Sequence, residues 1–392
     1  MRRVTVIGVD DRPTRVDLGA ATLVVGAARY LSTVDSSVPA IVLGPLAPAL
    51  AAIRAHPGDV AVLASGDPGF FGIVRALRCA GIEPVVTAGV SAVARAYARV
   101  GLPWDDAVVV SAHGRDPRIA VNACRALRNV AVLTGPGSGP AELGAALAGW
   151  ERTLIVAERL GDPDERLTRC TPAQAATRTW TDPNVMIAID ERRPARDGAP
   201  PHNQPASPPA AGWALPENAY AHRDSMLTKW EVRAAVLARL RPTLGTLIWD
   251  VGAGSGSVAV ECAGHHAAVI AIDADPAACE FVAENAHTHG VDVRVVAGRA
   301  PDVYPDLPDP DAAFLGGGGS TALAGVISRR PATIVATFAA IDRLLAARSA
   351  LHDNGYAVEG SQLAAARLTD LPDGGVRLAA TNPVFLLTGT RR

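Results

Sequence analysis

The chain has 392 residues, of which 49% are apolar and 4% aromatic, and its formal net charge is -2. This length predicts two domains of nearly equal size, each long enough to bury its own core. The near-neutral charge gives no general attraction to nucleic acid, so no nucleic-acid partner is expected. The five cysteines are scattered and form no C-x-x-C pair, which indicates a reducing compartment.

The N-terminal apolar run, Val4–Val9, is too short for a signal peptide because Asp10 and Asp11 follow it directly. No apolar run elsewhere is long enough to cross a bilayer. We therefore expect a cytoplasmic protein with no membrane contact.

Short apolar runs alternate with alanine-rich segments of helical spacing, such as residues 46–54, throughout the first half. This alternation is typical of an α/β fold with a parallel sheet. The predicted strands are residues 4–9, 22–26, 60–64, 85–86, 108–111, 130–134, 154–157 and 185–189.

Composition changes sharply after the last of these strands. Residues 191–212 are rich in proline, which disfavours regular strands and helices and favours an extended spacer. The sequence therefore predicts a first domain over residues 1–190, a linker over 191–212 and a second domain over 213–392.

Three polar loops follow predicted strands in the first half, at residues 64–72, 87–92 and 111–115. The carboxyl ends of parallel strands share one edge of a sheet, so these loops are expected to outline a cleft. Within the first loop, Asp67 as helix N-cap with Pro68 at the first helical position would explain both residues without a ligand.

The second half contains a buried strand that runs into glycines at alternate positions, Gly252, Gly254 and Gly256, with Asp250 just before them. Such glycines allow a ligand to approach the main chain at the start of a helix. Asp273 ends the next apolar run, where a carboxylate would accept hydrogen bonds from a ribose. A dinucleotide fingerprint is Gly-x-Gly-x-x-Gly, so this spacing favours an S-adenosylmethionine-dependent methyltransferase. An NAD-linked oxidoreductase and a glycine turn that binds nothing are the alternatives.

Other elements of the second half are predicted from local patterns. Thr228 and Glu231 have the spacing of a capping box, so we expect a helix to begin there. Strands are expected at residues 293–297 and 312–315. Residues 376–378 and 384–387 are expected to form a terminal hairpin.

Several runs in this sequence resemble those of known methyltransferases. In the first half they are Ser65–Gly72, Gly89–Ala92, Gly101–Trp104, Ser111–Arg115 and Glu158–Gly161, and in the second half they are Thr228–Arg233, Trp249–Ser257 and Asn382–Val384. The first half resembles the tetrapyrrole methylases, and the second resembles the decarboxylating precorrin methyltransferases. Their fusion in this order is similar to the precorrin-6Y C5,15-methyltransferases (decarboxylating) of cobalamin biosynthesis. The resemblance covers essentially the whole chain except the proline-rich segment.

The resemblance implies an N-terminal two-lobed tetrapyrrole-methylase-like domain followed by a Rossmann-like class I methyltransferase domain. It also implies two S-adenosyl-L-methionine sites, with C5 of precorrin-6Y methylated by the first domain. The second domain would methylate C15 and remove the ring C acetate carboxylate, giving precorrin-8. The first cofactor site would comprise Gly66, Asp67, Phe70, Ser91, Ala92 and Thr134. The second would comprise Thr228, Asp250, Gly252, Gly254, Gly256, Asp273, Arg299 and Ala300. The place where methyl group and macrocycle meet would be lined by Gly316, Gly317, Gly318 and Gly319.

Because the implied substrate carries many carboxylates, Arg115 and Arg233 are the arginines expected to bind it. His113 or Lys229 would assist proton transfer, although a lone histidine beside Gly114 and Arg115 is more often a loop hydrogen-bonding residue. The remaining histidines lack carboxylate or cysteine companions at ligand spacing, so no metal is expected. The chain is expected to form a homo-oligomer.

The first half departs from the family pattern in the loop after its first strand. Tetrapyrrole methylases usually carry Gly-Pro-Gly there, whereas this chain has Gly8-Val-Asp-Asp-Arg-Pro13. A rival hypothesis is therefore a single-activity methyltransferase whose first half is non-catalytic.

Overall fold

The computed structural model describes residues 2–9, 16–32, 34, 37–193, 213–223 and 227–392. These residues form two compact units. The first contains the described residues of Met1–Arg115, Ala131–Ala145 and Thr153–Ala188, and the second contains those of Asp116–Val130, Ala146–Arg152 and Ile189–Arg392. The domain boundaries expected from the sequence stay a prediction.

The chain begins with a parallel sheet built from valine-rich strands. Its five strands lie in the order β3-β2-β4-β1-β5, and β1 pairs with both β4 and β5. The carboxyl ends of β1, β4 and β5 therefore lie at the same edge of the sheet. The elements are β1 (Val4–Val9), β2 (Leu23–Gly26), α1 (Ala28–Leu31), β3 (Ala40–Val42), α2 (Leu46–Ala55), β4 (Val60–Ser65), α3 (Ile73–Cys79), β5 (Val85–Thr87) and α4 (Ala92–Val100).

A second five-stranded sheet follows, in the order β6-β7-β10-β8-β9. Its edge strand β9 runs antiparallel to β8, and α5 is counted in the second unit. The two sheets agree with the two lobes predicted for the first half. The elements are β6 (Val108–Ser111), α5 (Pro117–Ala126), β7 (Asn129–Leu133), α6 (Pro140–Ala146), β8 (Thr153–Glu158), β9 (Arg166–Cys170), α7 (Pro172–Ala176) and β10 (Asn184–Ile189).

The rest of the chain forms a seven-stranded sheet in the order β13-β12-β11-β14-β15-β19-β16, with a separate two-stranded sheet of β17 and β18. The strand order reverses beside β11, which creates the crevice where ligands of such sheets bind. The elements are α8 (Trp230–Leu240), β11 (Leu247–Val251), α9 (Ser257–Gly264), β12 (Ala268–Asp273), α10 (Pro276–Thr288), β13 (Arg294–Ala297), β14 (Ala312–Leu315), α11 (Gly319–Ser328), β15 (Thr333–Phe338), α12 (Ile341–Asp353), β16 (Tyr356–Leu363), β17 (Ala366–Asp370), β18 (Val376–Ala380) and β19 (Val384–Arg391).

The central strand β11 is buried on both faces. Leu247, Trp249 and Val251 belong to one apolar cluster, and Ile248 belongs to another on the opposite face. Helices therefore cover both faces of this sheet, which confirms the α/β class. Within the described residues, no helix combines the length and apolarity that a bilayer crossing requires.

Three local predictions are wrong. The predicted terminal hairpin does not form, because β18 pairs with β17 whereas β19 pairs with β15 and β16. No capping box starts α8: Lys229 is its N-cap without a side-chain bond, and Glu231 instead binds Arg367. Asp67 does not cap a helix, since α3 begins after Gly72.

Candidate functional site

The glycine loop between β11 and α9 has the backbone that the sequence predicts. Gly252, Gly254 and Gly256 have φ values of 69°, 57° and 71°, a left-handed region that side chains disfavour. A Cβ on Gly252 would lie 2.7 Å from the backbone of Gly317. The loop after β14 therefore packs directly against this one, and glycine is required at the contact.

Asp250 holds the start of α9 from within the core. Its carboxylate is fully buried, and Oδ2 accepts a hydrogen bond from the backbone N–H of Ala259 at 2.9 Å. Burial, with a smaller contribution from the charge of Asp273, raises the pKa of Asp250 to about 7, although the Ala259 bond acts to lower it. Its Oδ1, like the Ser255 hydroxyl, has no hydrogen-bond partner among the described residues. Because both residues are only 1% exposed, Asp250 acts on the start of α9 from within the core and not on a ligand directly.

Asp273 at the end of β12 fixes the loop from the neighbouring strand. Its Oδ2 accepts from Gly254 N at 2.9 Å, and its Oδ1 accepts from Asp275 N at 3.0 Å. The residue is only partly buried, and each carboxylate oxygen has a further lone pair to offer. Asp273 can therefore organise the loop and still accept hydrogen bonds from hydroxyl groups of a ligand.

The ends of β13 and β14 complete this edge. Gly298 N donates to the Asp273 carbonyl at 2.8 Å. Arg299 and Ala300 follow Gly298 directly, so they begin close to the end of β12. Arg299 is exposed and Ala300 is half-buried. Four exposed glycines follow β14, namely Gly316, Gly317, Gly318 and Gly319. Two of them, Gly318 and Gly319, have φ values of 83° and 71°.

The structure does not support Arg233 as a substrate-binding residue. Its side chain is fully buried, and its Nε lies 2.5 Å from Glu261 Oε1. Its other two nitrogens donate to the carbonyls of Thr228 and Leu215, so all three nitrogens bind within the protein and the buried side chain is not accessible to a ligand. Lys229, by contrast, is exposed at the start of α8.

Residues 213–223 are held against α9 and α10 by two side chains that the sequence patterns do not predict. Glu261 accepts hydrogen bonds from Ala214 N, Leu215 N and the Tyr220 hydroxyl. Asn285 binds both main-chain groups of Ala221. The only sequence signal was a glutamate and an asparagine inside otherwise apolar helix faces.

In the first unit, three glycines bring the end of β1 together with the loops after β4 and β5. A Cβ on Gly8 would collide with Gly66 O and Gly89 N, and Gly66 has a φ of 63°. Gly66 N also donates to the Val9 carbonyl at 3.1 Å. This edge is therefore lined by bare main chain, as expected. The altered loop residues Asp10–Pro13 lie outside the described residues.

Side chains at this edge make mostly local bonds. Asp67 accepts from Gly69 N at 2.8 Å, and Ser91 caps α4 by accepting from Ala94 N at 3.1 Å. Ala92 is the first residue of that helix. The ring of Phe70 packs edge-on against Phe71, with centroids 4.9 Å apart.

The remaining predicted residues of the first unit follow β6 and β7. His113 is exposed and lies over Gly135, where an added Cβ would be 2.8 Å from its Nδ1. The Arg115 guanidinium lies 5.7 Å from the ring centroid of Phe71. Thr134 is buried, with its hydroxyl 2.6 Å from the Asn184 carbonyl, which accounts for Thr134 without a ligand.

A cavity of about 480 Å³ runs along β1 in the same unit. Its lining includes Arg3, Asp17, Asp59, Gly8 and Val9. None of the predicted site residues lines this cavity, so it adds nothing to the assignment of the site. In the described part of the chain, no group of three or more His, Cys, Asp or Glu side chains is placed to hold a metal ion.

Comparison with known proteins assigns both halves. Residues 18–176 match the tetrapyrrole (corrin/porphyrin) methylases, and residues 218–366 match the precorrin methyltransferase domain. A precorrin-6Y C(5,15)-methyltransferase (decarboxylating) of Sinorhizobium sp is 35% identical over 330 residues, 80% of this chain and 76% of the relative. The chain belongs to the precorrin-6Y C(5,15)-methyltransferase family. The family predicted from the sequence is therefore confirmed, and with it the class of decarboxylating C-methyltransferases.

Two further relatives agree with this assignment. A precorrin-6Y C(5,15)-methyltransferase (decarboxylating) of Mycobacterium tuberculosis (strain CDC 1551 / Oshkosh) is 35% identical over 316 residues, 78% of this chain and 76% of that protein. A probable cobalt-precorrin-6B C(15)-methyltransferase (decarboxylating) of Pyrobaculum calidifontis is 36% identical over 190 residues, 46% of this chain and 97% of that protein. An NAD-linked oxidoreductase does not fit this family. Methyltransferases of the matched families use S-adenosylmethionine as methyl donor.

Proposed function

We propose that this chain methylates precorrin-6Y at C5 and C15 and removes carbon dioxide from the ring C acetate, giving precorrin-8 in cobalamin biosynthesis. The observation that carries the proposal is a glycine-lined strand edge in each of the two units, within one chain that matches two methylase families. Each edge would bind one S-adenosylmethionine, so the chain would hold two.

In the second unit, the main chain at Gly252, Gly254 and Gly256 would hold the amino-acid end of the cofactor. Asp250 would act by holding the start of α9 through Ala259 N and not by contact with the cofactor, because its carboxylate is buried. Asp273 would accept hydrogen bonds from the ribose hydroxyls. Arg299 and Ala300 would flank the adenine, Gly316–Gly319 leave room for the macrocycle, and Thr228 stays a predicted cofactor residue.

In the first unit, the main chain at Gly66 and Ala92 would approach the cofactor, with Asp67, Phe70 and Ser91 beside it. Arg115 is exposed and keeps guanidinium donors for a substrate carboxylate. Thr134 stays a predicted cofactor residue, although its hydroxyl is already bonded to Asn184.

The chemistry requires alignment more than covalent help from the protein. S-adenosylmethionine supplies an electrophilic methyl group, and the meso carbon of a reduced tetrapyrrole is enamine-like. Holding two such reactants in line can contribute on the order of 7 to 11 kcal/mol. When the acetate loses carbon dioxide, its bonding electrons enter the ring system, and a proton is needed later at the carbon left behind. His113 and Lys229, both exposed, are proposed to assist proton transfer in their units.

Mass spectrometry of the product formed from precorrin-6Y and methyl-labelled S-adenosylmethionine tests the proposal. The expected product has gained two methyl groups and lost one carbon dioxide. At limiting S-adenosylmethionine, Asp273→Ala should slow C15 methylation and carbon dioxide release by about tenfold or more while C5 methylation continues, and Gly66→Val should instead impair C5 methylation. A wild-type product with one added methyl group and carbon dioxide lost would instead indicate a non-catalytic first half.

Cytoplasmic location, a homo-oligomeric assembly and the absence of a nucleic-acid partner stay predictions from the sequence.

A further inference from the structure

One buried side chain of the second unit contacts the glycine loop without facing its proposed ligand. Asn285 on α10 is only 1% exposed. Its Nδ2 donates to Ser255 O and to Ala221 O, both at 2.8 Å, and its Oδ1 accepts from Ala221 N at 2.7 Å. Both amide hydrogens and the amide oxygen are used, so no other residue type of this size can make the same three bonds.

The bond to Ser255 acts at the junction of the glycine loop and α9. The peptide between Ser255 and Gly256 is held at both ends, because Gly256 N donates to Ala253 O at 2.8 Å while Asn285 binds Ser255 O. Asp273 accepts the hydrogen bond from Gly254 N, one residue before Ser255. The direction of the main-chain groups in this loop is therefore set by two side chains, one from β12 and one from α10.

We infer that Asn285 is a positioning residue for methyl transfer in the second unit: by binding Ser255 O it orients the glycine loop toward the cofactor, and it joins that loop to residues 213–223. The inference rests on the proposed binding of S-adenosylmethionine at this loop. Asn285 would affect cofactor affinity without touching the cofactor.

The same segment offers a matched control. His289 Nε2 lies 2.8 Å from Ala219 O, and its ring stacks on Tyr220 with centroids 5.0 Å apart. His289 therefore anchors residues 213–223 as Asn285 does, but it has no bond to the glycine loop. Loss of His289 loosens the segment alone, whereas loss of the Asn285 donors also frees Ser255.

The test compares Asn285→Asp with His289→Ala in the full chain, at a pH where the new carboxyl is ionised. Asn285→Asp keeps the size and the acceptor but removes both donors. We expect its KM for S-adenosylmethionine in carbon dioxide release to rise about tenfold, as for a lost buried hydrogen bond. The kcat should change by less than about threefold, and C5 methylation should be unaffected. His289→Ala should lower the melting temperature with a KM change below about twofold.

An unchanged KM in Asn285→Asp, or an equal KM rise in His289→Ala, would overturn the inference. If Asn285→Asp fails to fold, Asn285→Ser, which is shorter and uncharged, must show the same KM rise. Equilibrium binding of S-adenosylmethionine separates the two proposals. A wild-type chain that binds the cofactor but releases no carbon dioxide refutes the proposed reaction, whereas weaker binding to Asn285→Asp still supports the role of Asn285.

Discussion

Replacing Arg233 with methionine removes the cation at the centre of a buried cluster. The guanidinium contacts Glu261 at 2.5 Å, donates to the Thr228 carbonyl at 2.7 Å and lies 4.7 Å from the ring centroid of Tyr220. Methionine is long and flexible enough to fill most of the space, so the added cavity is small. The main loss is that Glu261 keeps a buried charge with no cation. Removing one partner of such a pair costs about 3–5 kcal/mol of unfolding free energy.

Differential scanning calorimetry of the full chain measures this loss. For a unit of this size each kcal/mol lowers the melting temperature by roughly 2–4 °C, so the second-unit transition should fall by about 6–20 °C. Arg239→Met is the matched control on the same helix, because Arg239 pairs with Glu359 at 3.0 Å on the surface. Its removal should cost less than about 1 kcal/mol. An unchanged melting temperature in Arg233→Met, with a raised KM for the macrocycle, would refute the structural role and restore the substrate-binding one.

Three further predictions concern the glycine loop. Asp273→Ala should weaken S-adenosylmethionine binding by at least about tenfold, measured by equilibrium dialysis, because a hydrogen bond to a charged group contributes about 1.5–3 kcal/mol. Gly252→Ala should abolish carbon dioxide release, because its Cβ would meet Gly317 at 2.7 Å, whereas Gly264→Ala meets nothing within 4 Å and should keep it. Burial raises the pKa of Asp250 from 3.8 to about 7. The contribution of its protonated form to the free energy of unfolding is therefore fully present below pH 3.8 and is lost by the time the pH has risen through 7. Asp250→Asn should therefore flatten the fall in melting temperature between about pH 4 and 7.

The features of the candidate site that could be predicted from the sequence are those that depend on residues close together in the chain. Alternate glycines after an apolar run place Gly252, Gly254 and Gly256 at a turn whatever the rest of the chain does. A short apolar run ends at Asp273, which predicts a carboxylate at the end of the strand next to the glycine loop. The hydrogen bond from Gly254 N to Asp273 shows that this carboxylate reaches the loop. The same logic gave the glycines at the first edge, Gly66 among them.

The parts that it did not predict depend on partners far along the chain. Arg233 follows a segment that was expected at the cleft, but its side chain is buried because it pairs with Glu261, 28 residues later. Glu231 had the spacing of a helix cap and is instead bound by Arg367. The terminal hairpin failed for the same reason, since β19 fits between β15 and β16 rather than beside β18. Local spacing contains no information about such pairings.

The stoichiometry of S-adenosylmethionine binding to the intact chain tests the central claim most directly. Equilibrium dialysis of the purified protein should find two bound molecules per chain, and Asp273→Ala should weaken one of them while leaving the other unchanged. Saturation at one molecule, or a loss of both sites in that variant, would contradict separate cofactor sites in the two units.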